Sequence, residues 1–174
     1  MHLIFISIFL MAALKWGDWK RWRDYYPTIL FLITGDLLYN FLFFNHSMWA
    51  YQETIFLEDI LTKHTIISLM IMFIVYPSTV LIYLGKFPHE QGKQILWIMF
   101  WILIYVVVEF INSRFLHLIN HQNGWNNWWS LAFNVVMFVM LRVHHKNPLI
   151  AWGLSLLWIL FLWNMFKIPF EILK

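Results

Sequence analysis

The chain has 174 residues, of which 61% are hydrophobic and only 12% are charged. Because soluble domains carry about 25% charged residues, this composition excludes an ordinary soluble domain, a disordered chain and a free-standing nucleic-acid-binding protein. The formal net charge of +3 comes from few charged residues and indicates no particular partner. The lack of cysteine excludes disulfides, thiol catalysis and cysteine-bound metals. The composition therefore indicates an integral membrane protein.

Six apolar runs are candidates for membrane-spanning helices, since roughly 20 apolar residues cross about 30 Å of hydrocarbon. In chain order they are residues 2–14, 28–45, 64–85, 94–113, 125–141 and 149–168. The first run covers only about 20 Å, so it must extend through Lys15 and Trp16 or lie in a thinned bilayer. We predict an all-α integral membrane bundle of six transmembrane helices with short loops, in which residues 1–174 form a single domain.

The distribution of basic residues predicts the orientation of this bundle. A cleavable signal peptide would need basic residues before the first apolar run, but here they follow it, which favours an uncleaved anchor. The loops after the odd-numbered runs hold eight basic residues: Lys15, Lys20, Arg21, Arg23, Lys86, Lys93, Arg142 and Lys146. The opposite side holds four: Lys63, Arg114, Lys167 and Lys174. The excess of positive charge on the inner side places both termini outside.

Prolines mark the expected limits and bends of the helices. Pro27 and Pro148 suit the first turns of the second and sixth spans, and Asn147 is a candidate cap for the sixth. Pro77 falls inside the third span, where it removes a backbone hydrogen bond and predicts a kink. Ser78 and Thr79 are candidates to bond the freed carbonyl groups.

Three segments outside the spans have an interfacial character. Residues 15–27 interleave tryptophans with Lys20, Arg21 and Arg23, a pattern typical of contact with lipid headgroups; an RNA-binding platform is the alternative. For Arg142 and Lys146 we likewise predict headgroup contact, with a phosphorylated-substrate site as the alternative. Residues 53–61 form a possible amphipathic helix on the outer surface, either a plain surface helix or a lid.

Polar residues inside the apolar runs are the strongest functional signal. An ionised carboxylate at mid-bilayer costs at least about 2.5–3.5 kcal/mol, so Asp36 and Glu109 are expected to face protein or water. Helical spacing aligns further polar residues into stripes that lie at similar depths in the outer half of the membrane. The candidate pocket residues are Asp36, Asn40, Tyr105, Glu109, Asn112, Asn127, Asn134 and Asn164. Either they line a hydrated pocket that opens outward, or they join helices by hydrogen bonds.

Histidines add a weak metal hypothesis. His117 and His121 are four residues apart, the spacing that puts two imidazoles on one helical face. Both follow the fourth span, directly above Glu109. A pH-responsive outer mouth is the alternative, because histidine titrates near neutrality. We predict no metal or other cofactor, and His117 and His121 are the candidate ligands if a metal is bound.

Five short segments carry a family resemblance: residues 15–27, 35–40, 76–79, 124–126 and 144–146. On these the chain resembles an uncharacterised family of small multi-spanning membrane proteins from spore-forming Firmicutes, over nearly its whole length. The resemblance implies a bacterial cytoplasmic (inner) membrane protein. It implies no activity.

These observations favour a protein that binds or transports a small polar or amphipathic ligand in an outward-facing pocket. In this interpretation Asp36 accepts a proton or cation, Asn40, Tyr105 and Asn134 orient the ligand, and Glu109 is a second, shallower acid. The first alternative is an intramembrane enzyme acting on a lipid or isoprenoid, with Asp36 and Glu109 as acid and base. The second is a structural or partner-binding membrane subunit. We expect membrane lipids, and not nucleic acid, as partners. Assembly into a homo-oligomer is kept as an alternative to a monomer.

Overall fold

The computed structural model describes residues 2–51 and 64–169, and this part of the chain is almost entirely helical. The helices are α1 (His2–Trp16), α2 (Trp22–Leu42), α3 (His64–Met70), α4 (Tyr76–Tyr83), α5 (Gln91–Phe110), α6 (Asn127–Lys146) and α7 (Pro148–Met165). A π-helical turn, Ile71–Val75, joins α3 to α4, and a second, Ile111–Phe115, extends α5. The predicted all-α class is confirmed apart from two three-residue strands. The amphipathic segment predicted at residues 53–61 lies outside the described residues.

The two strands pair across a long sequence separation. Strand β1 (Trp49–Tyr51) runs antiparallel to β2 (Ile119–His121), with Trp49 opposite His121 and Tyr51 opposite Ile119. The sequence predicts a loop at the first segment and the end of a helix at the second, because three residues are too few to show the alternation of a strand. The pair connects the chain after α2 to the chain after α5.

Three helical stretches in the described residues are long and apolar enough to cross a membrane: Thr65–Tyr83, Gln91–Phe115 and Pro148–Met165. His2–Trp16 and Trp19–Leu42 meet this criterion only as a pair, with a bend of 88° between them. In Gln91–Phe115 only 6% of the most apolar stretch is buried. Large exposed apolar surfaces of this kind mark contact with another apolar phase, so the helices indicate a membrane protein.

The prolines lie in or beside helices, but not all at the positions that the sequence predicts. Helix α2 begins at Trp22, so Pro27 lies inside the helix instead of in its first turn. Pro77 does follow a distortion, since the π-helical turn Ile71–Val75 ends one residue before α4 begins. The wider turn accommodates a proline that has no N–H to donate to the preceding turn. Pro148 is in the first turn of α7, and the side chain of Asn147 accepts a hydrogen bond from the backbone N–H of Ile150, as predicted.

The buried core lies in two clusters. The larger is centred on Tyr83 and Phe138, both fully buried, and the Tyr83 hydroxyl donates to the Phe138 carbonyl oxygen at 2.9 Å. The smaller surrounds Trp125, Met48 and Leu162 beside the strand pair. Two cavities lie near these two clusters.

Candidate functional site

The first cavity, of about 180 Å³, lies between α1, α4, α5 and α6. Residues Trp49, Tyr51 and Ile119 from the strand pair line one end of it. Four of the eight candidate pocket residues line this cavity: Tyr105, Glu109, Asn112 and Asn134. They come from α5, its π-helical extension and α6, so the stripes on these two predicted spans converge on one space.

Glu109 is the centre of a polar cluster in the first cavity. Its Oε1 accepts a hydrogen bond from the Ser130 hydroxyl and lies 2.9 Å from Nε2 of His121. The indole N–H of Trp125 donates to the Ser130 hydroxyl oxygen at 2.8 Å. Both bonds to the carboxylate fall on Oε1, and Oε2 accepts none from the described residues.

The cluster of Ser130, His121 and Glu109 does not have the geometry of a nucleophilic triad. In such a triad the histidine bonds the serine hydroxyl so that it can remove its proton. Here the hydroxyl of Ser130 and the ring of His121 both bond the same carboxylate oxygen. The arrangement is suited to holding a carboxylate in a fixed position, with one oxygen left for another group.

Asp36 lies in a different place from Glu109. It lines the second cavity, of about 140 Å³, between α2, α6 and α7. Its Oδ2 accepts a hydrogen bond from the Tyr76 hydroxyl at 2.9 Å, and its Oδ1 accepts one from the Asn40 amide at 3.1 Å. The prediction that Asp36 and Glu109 share one pocket is therefore corrected: α2 packs on the other side of Tyr76, whose ring lines both cavities.

Four of the five candidate asparagines have a common bonding pattern. Each donates its amide N–H to the backbone carbonyl four residues earlier in its own helix: Asn40 to Asp36, Asn112 to Val108, Asn134 to Ser130, and Asn164 to Leu160. These bonds are within helices and do not join one helix to another. Contacts between helices instead use tyrosine and threonine hydroxyls, as in the 2.7 Å contact between Thr79 and Tyr105. Thr79 thus bonds Tyr105 in place of a freed carbonyl.

Three of the candidate asparagines lie outside the first cavity. Asn127 is the first residue of α6 and is exposed. Asn164 is also exposed, and its amide is bonded to its own helix. Asn40 is held against Asp36 and lines neither cavity. Helical spacing shows only which residues share one face of a helix. It does not show what that face packs against, so it cannot tell a pocket position from an exposed one.

The histidine pair does not share a helical face. The chain leaves the helix after Phe115; His117 has a left-handed backbone (φ 51°) and is exposed, whereas His121 is in β2. Within the described ranges no group of three or more His, Cys, Asp or Glu side chains is placed to hold a metal ion. The i,i+4 argument fails because it requires a continuous helix.

The predicted headgroup-contact residues meet at the opposite end of the bundle from the strand pair. Asp18 N–H donates to Leu81 O at 3.2 Å, Arg142 lies 4.2 Å from the Phe87 ring, and the rings of Tyr25 and His145 are in contact. Lys20, Arg23 and Lys146 are exposed there. Arg21 is also exposed but forms a 2.6 Å ion pair with Asp18, and Arg142 is half-buried.

Sequence reasoning missed several residues of the first cavity. In the sequence Tyr76 stands out only as the neighbour of Pro77, His2 begins the first apolar run, and Trp49 falls in a loop, while the tryptophans around Trp125 are typical of an interfacial belt. One sequence signal could have identified these residues: aromatic residues occur repeatedly beside polar ones on α4 to α6. No family model, no curated protein and no solved structure matches the chain.

Proposed function

We propose that the chain is a six-span protein of a bacterial cytoplasmic membrane, with both termini outside, that binds a small polar or amphipathic ligand in the first cavity. The main support for this binding function is that Tyr105, Glu109, Asn112 and Asn134 line one cavity of about 180 Å³ between apolar helices. Buried polar groups among apolar walls are the usual makeup of a ligand site.

The topology has its own support. The exposed basic residues Lys20, Arg23, Lys86 and Lys146 gather at the end remote from the strand pair. An excess of Lys and Arg is characteristic of the cytoplasmic side. The strand pair and the first cavity then lie toward the outside, and β1 and β2 form the outer cover of the site.

The bonding pattern of the asparagines favours a binding site over a purely structural role. Interhelical hydrogen bonds are the mark of structural glue, and Glu109, Tyr105 and Asp36 each form one. Asn112 and Asn134, the two asparagines that line the first cavity, instead donate within their own helices, which leaves the carbonyl end of each amide for other partners.

The separation of the two carboxylates favours binding or transport over acid–base catalysis. An acid and a base that act on one substrate must both reach it. Glu109 and Asp36 line different cavities, with the Tyr76 ring between them. In a transport cycle Asp36 would accept a proton or cation in the second cavity, on the carboxylate that the Tyr76 hydroxyl also bonds.

A cavity-filling variant tests the binding proposal. Val108 lines the first cavity, whereas Val107 is 44% exposed on the same helix. Protein purified from the host membrane and analysed by native mass spectrometry should retain a bound small molecule in the parent and in Val107→Trp, and lose it in Val108→Trp. A parent without any bound molecule after incubation with host membrane extract, or an unchanged Val108→Trp, would contradict the proposal.

A further inference from the structure

The chemistry of the first cavity indicates the class of its ligand. Building on the binding function proposed above, we infer that this ligand is a protonated amine: an ammonium group with at least one N–H, carried on an apolar group. Three independent features of the cavity lead to this class: its charge, an unsatisfied acceptor and its aromatic walls.

The first feature is the sign of the charge. Among the described residues that line the first cavity, Glu109 is the only carboxylate and none is Lys or Arg. The Oε2 atom of Glu109 accepts no hydrogen bond from the described part of the chain, because Ser130 and His121 both bond Oε1. A ligand cation supplies the opposite charge for this oxygen, whereas an anion would face the carboxylate across a cavity with largely apolar walls.

The second feature is a buried acceptor with no donor. Asn112 is only 5% exposed and lines the cavity, and its amide nitrogen is fixed by the bond to Val108 O at 2.7 Å. Its Oδ1 atom is fully buried and has no hydrogen-bond partner among the described residues. Buried polar atoms are nearly always bonded, so an exception needs an explanation. An N–H of the ligand satisfies it; a quaternary ammonium has no proton to donate.

The third feature is the aromatic wall. The rings of Tyr76, Tyr105, Trp125 and Phe133 line the same cavity, together with Trp49 from the strand pair. Cations are attracted to the faces of aromatic rings, and tryptophan and tyrosine are effective partners. A volume of about 180 Å³ holds a ring with a short chain, since a cavity of about 150 Å³ already admits benzene.

Four related probes separate the ligand classes by calorimetric titration. They are 2-phenylethylamine, the neutral 2-phenylethanol, the anionic 3-phenylpropanoate and the quaternary trimethyl(2-phenylethyl)ammonium. The protein is held in phosphatidylcholine nanodiscs at about pH 8, where ordinary histidines are neutral and alkylamines are protonated. Empty nanodiscs correct for partitioning into lipid. We expect 2-phenylethylamine to bind at least about tenfold more tightly than each of the others, about the effect of one charge-assisted hydrogen bond.

Variants locate the binding to the two proposed contacts. Glu109→Gln and Asn112→Leu should each weaken 2-phenylethylamine at least about fivefold and leave 2-phenylethanol within about twofold, because only the amine uses both groups. Glu90→Gln is the matched control for charge, on an exposed residue in the loop before α5. Asn164→Leu is the matched control for Asn112→Leu. The amide of Asn164 has the same bond to the carbonyl four residues earlier, but it lies outside the cavity.

The outcomes distinguish this inference from the binding function itself. Tighter binding of the alcohol, the acid or the quaternary ion, lost in Val108→Trp, would overturn the amine class and retain the cavity as a ligand site. Equal loss of amine binding in the control variants would also overturn it. If no probe binds the parent and native mass spectrometry finds no bound molecule, both proposals fail.

Discussion

The hydroxyl of Tyr76 donates a 2.9 Å hydrogen bond to Oδ2 of Asp36, between residues 40 positions apart in the chain. The bond joins α4 to α2 and is supported on the other carboxylate oxygen by Asn40. Tyr76 lines both cavities, as do Trp49, Phe133 and Met137, so this contact lies where the two cavities adjoin.

Removing the Tyr76 hydroxyl should destabilise the fold. Tyr76→Phe keeps the ring but leaves the carboxylate of Asp36 with one donor fewer, and a hydrogen bond to a charged group contributes about 1.5–3 kcal/mol. We expect a lower thermal unfolding midpoint in detergent. Tyr26→Phe is the control, since that side chain is 48% exposed on α2. An unchanged midpoint in Tyr76→Phe would show that the bond to Asp36 contributes nothing.

A side chain at Gly85 should disrupt the end of the bundle where α1 and α4 meet. A Cβ atom there would lie 2.6 Å from Cβ of Asp18 and collide with the carbonyl oxygen of Leu81. We expect Gly85→Ala to lower the free energy of unfolding by about 1–3 kcal/mol, as overpacking does. At Gly153 of α7 no atom lies within 4 Å of such a Cβ, so Gly153→Ala should be neutral or slightly stabilising. Denaturant titration compares the two, and similar values would contradict the steric argument.

The ion pair beside this glycine predicts a pH dependence. The hydrogen bond from Arg21 lowers the pKa of Asp18 below its ordinary value of 3.8; partial desolvation opposes the shift, and a bond from the Tyr25 hydroxyl adds to it. A depressed pKa in the folded state stabilises the protein above the pKa of the unfolded chain, and this contribution disappears as the pH falls through the folded-state pKa.

The matching variant is Asp18→Asn. It should unfold at a lower temperature than the parent at about pH 7, and the difference should shrink as the pH falls below 3.8 and vanish once Asp18 is protonated in the folded protein. We expect an effect below about 1 kcal/mol, because Arg21 is 60% exposed. Glu90→Gln provides the comparison for a fully surface pair. A difference between Asp18→Asn and the parent that grows on acidification would contradict a lowered pKa of Asp18 in the folded protein.

Single cysteines test the proposed topology, since the chain has none of its own. Gln122→Cys and Asn127→Cys lie at the strand-pair end, and Lys20→Cys and Lys86→Cys at the basic end; all four sites are exposed. In intact cells a membrane-impermeant maleimide should label only the first two, and all four after permeabilisation. Labelling of only the basic end in intact cells would reverse the orientation, and equal labelling of both ends would contradict a bundle whose two ends lie on opposite sides of the membrane.

The helices were accessible from the sequence because long apolar runs are local signals. The third run, residues 64–85, agrees with His64–Tyr83 as a continuous helix with a π-helical turn next to Pro77. Boundaries were less accurate: α2 begins six residues before the predicted start at Thr28, because the interfacial segment continues directly into the helix. The ring of His121, one of the two histidines predicted above Glu109, bonds that carboxylate, whereas His117 is exposed.

Composition and polar stripes thus identified an apolar helical chain and named Tyr105, Glu109, Asn112 and Asn134 as neighbours, because helical spacing and depth are properties of sequence position. The structure decided what those stripes face. It placed Asp36 behind Tyr76, paired Trp49 with His121 across 72 positions, and left Asn127 and Asn164 exposed. Such outcomes depend on which helix packs against which, and that is set by contacts between residues distant in the chain.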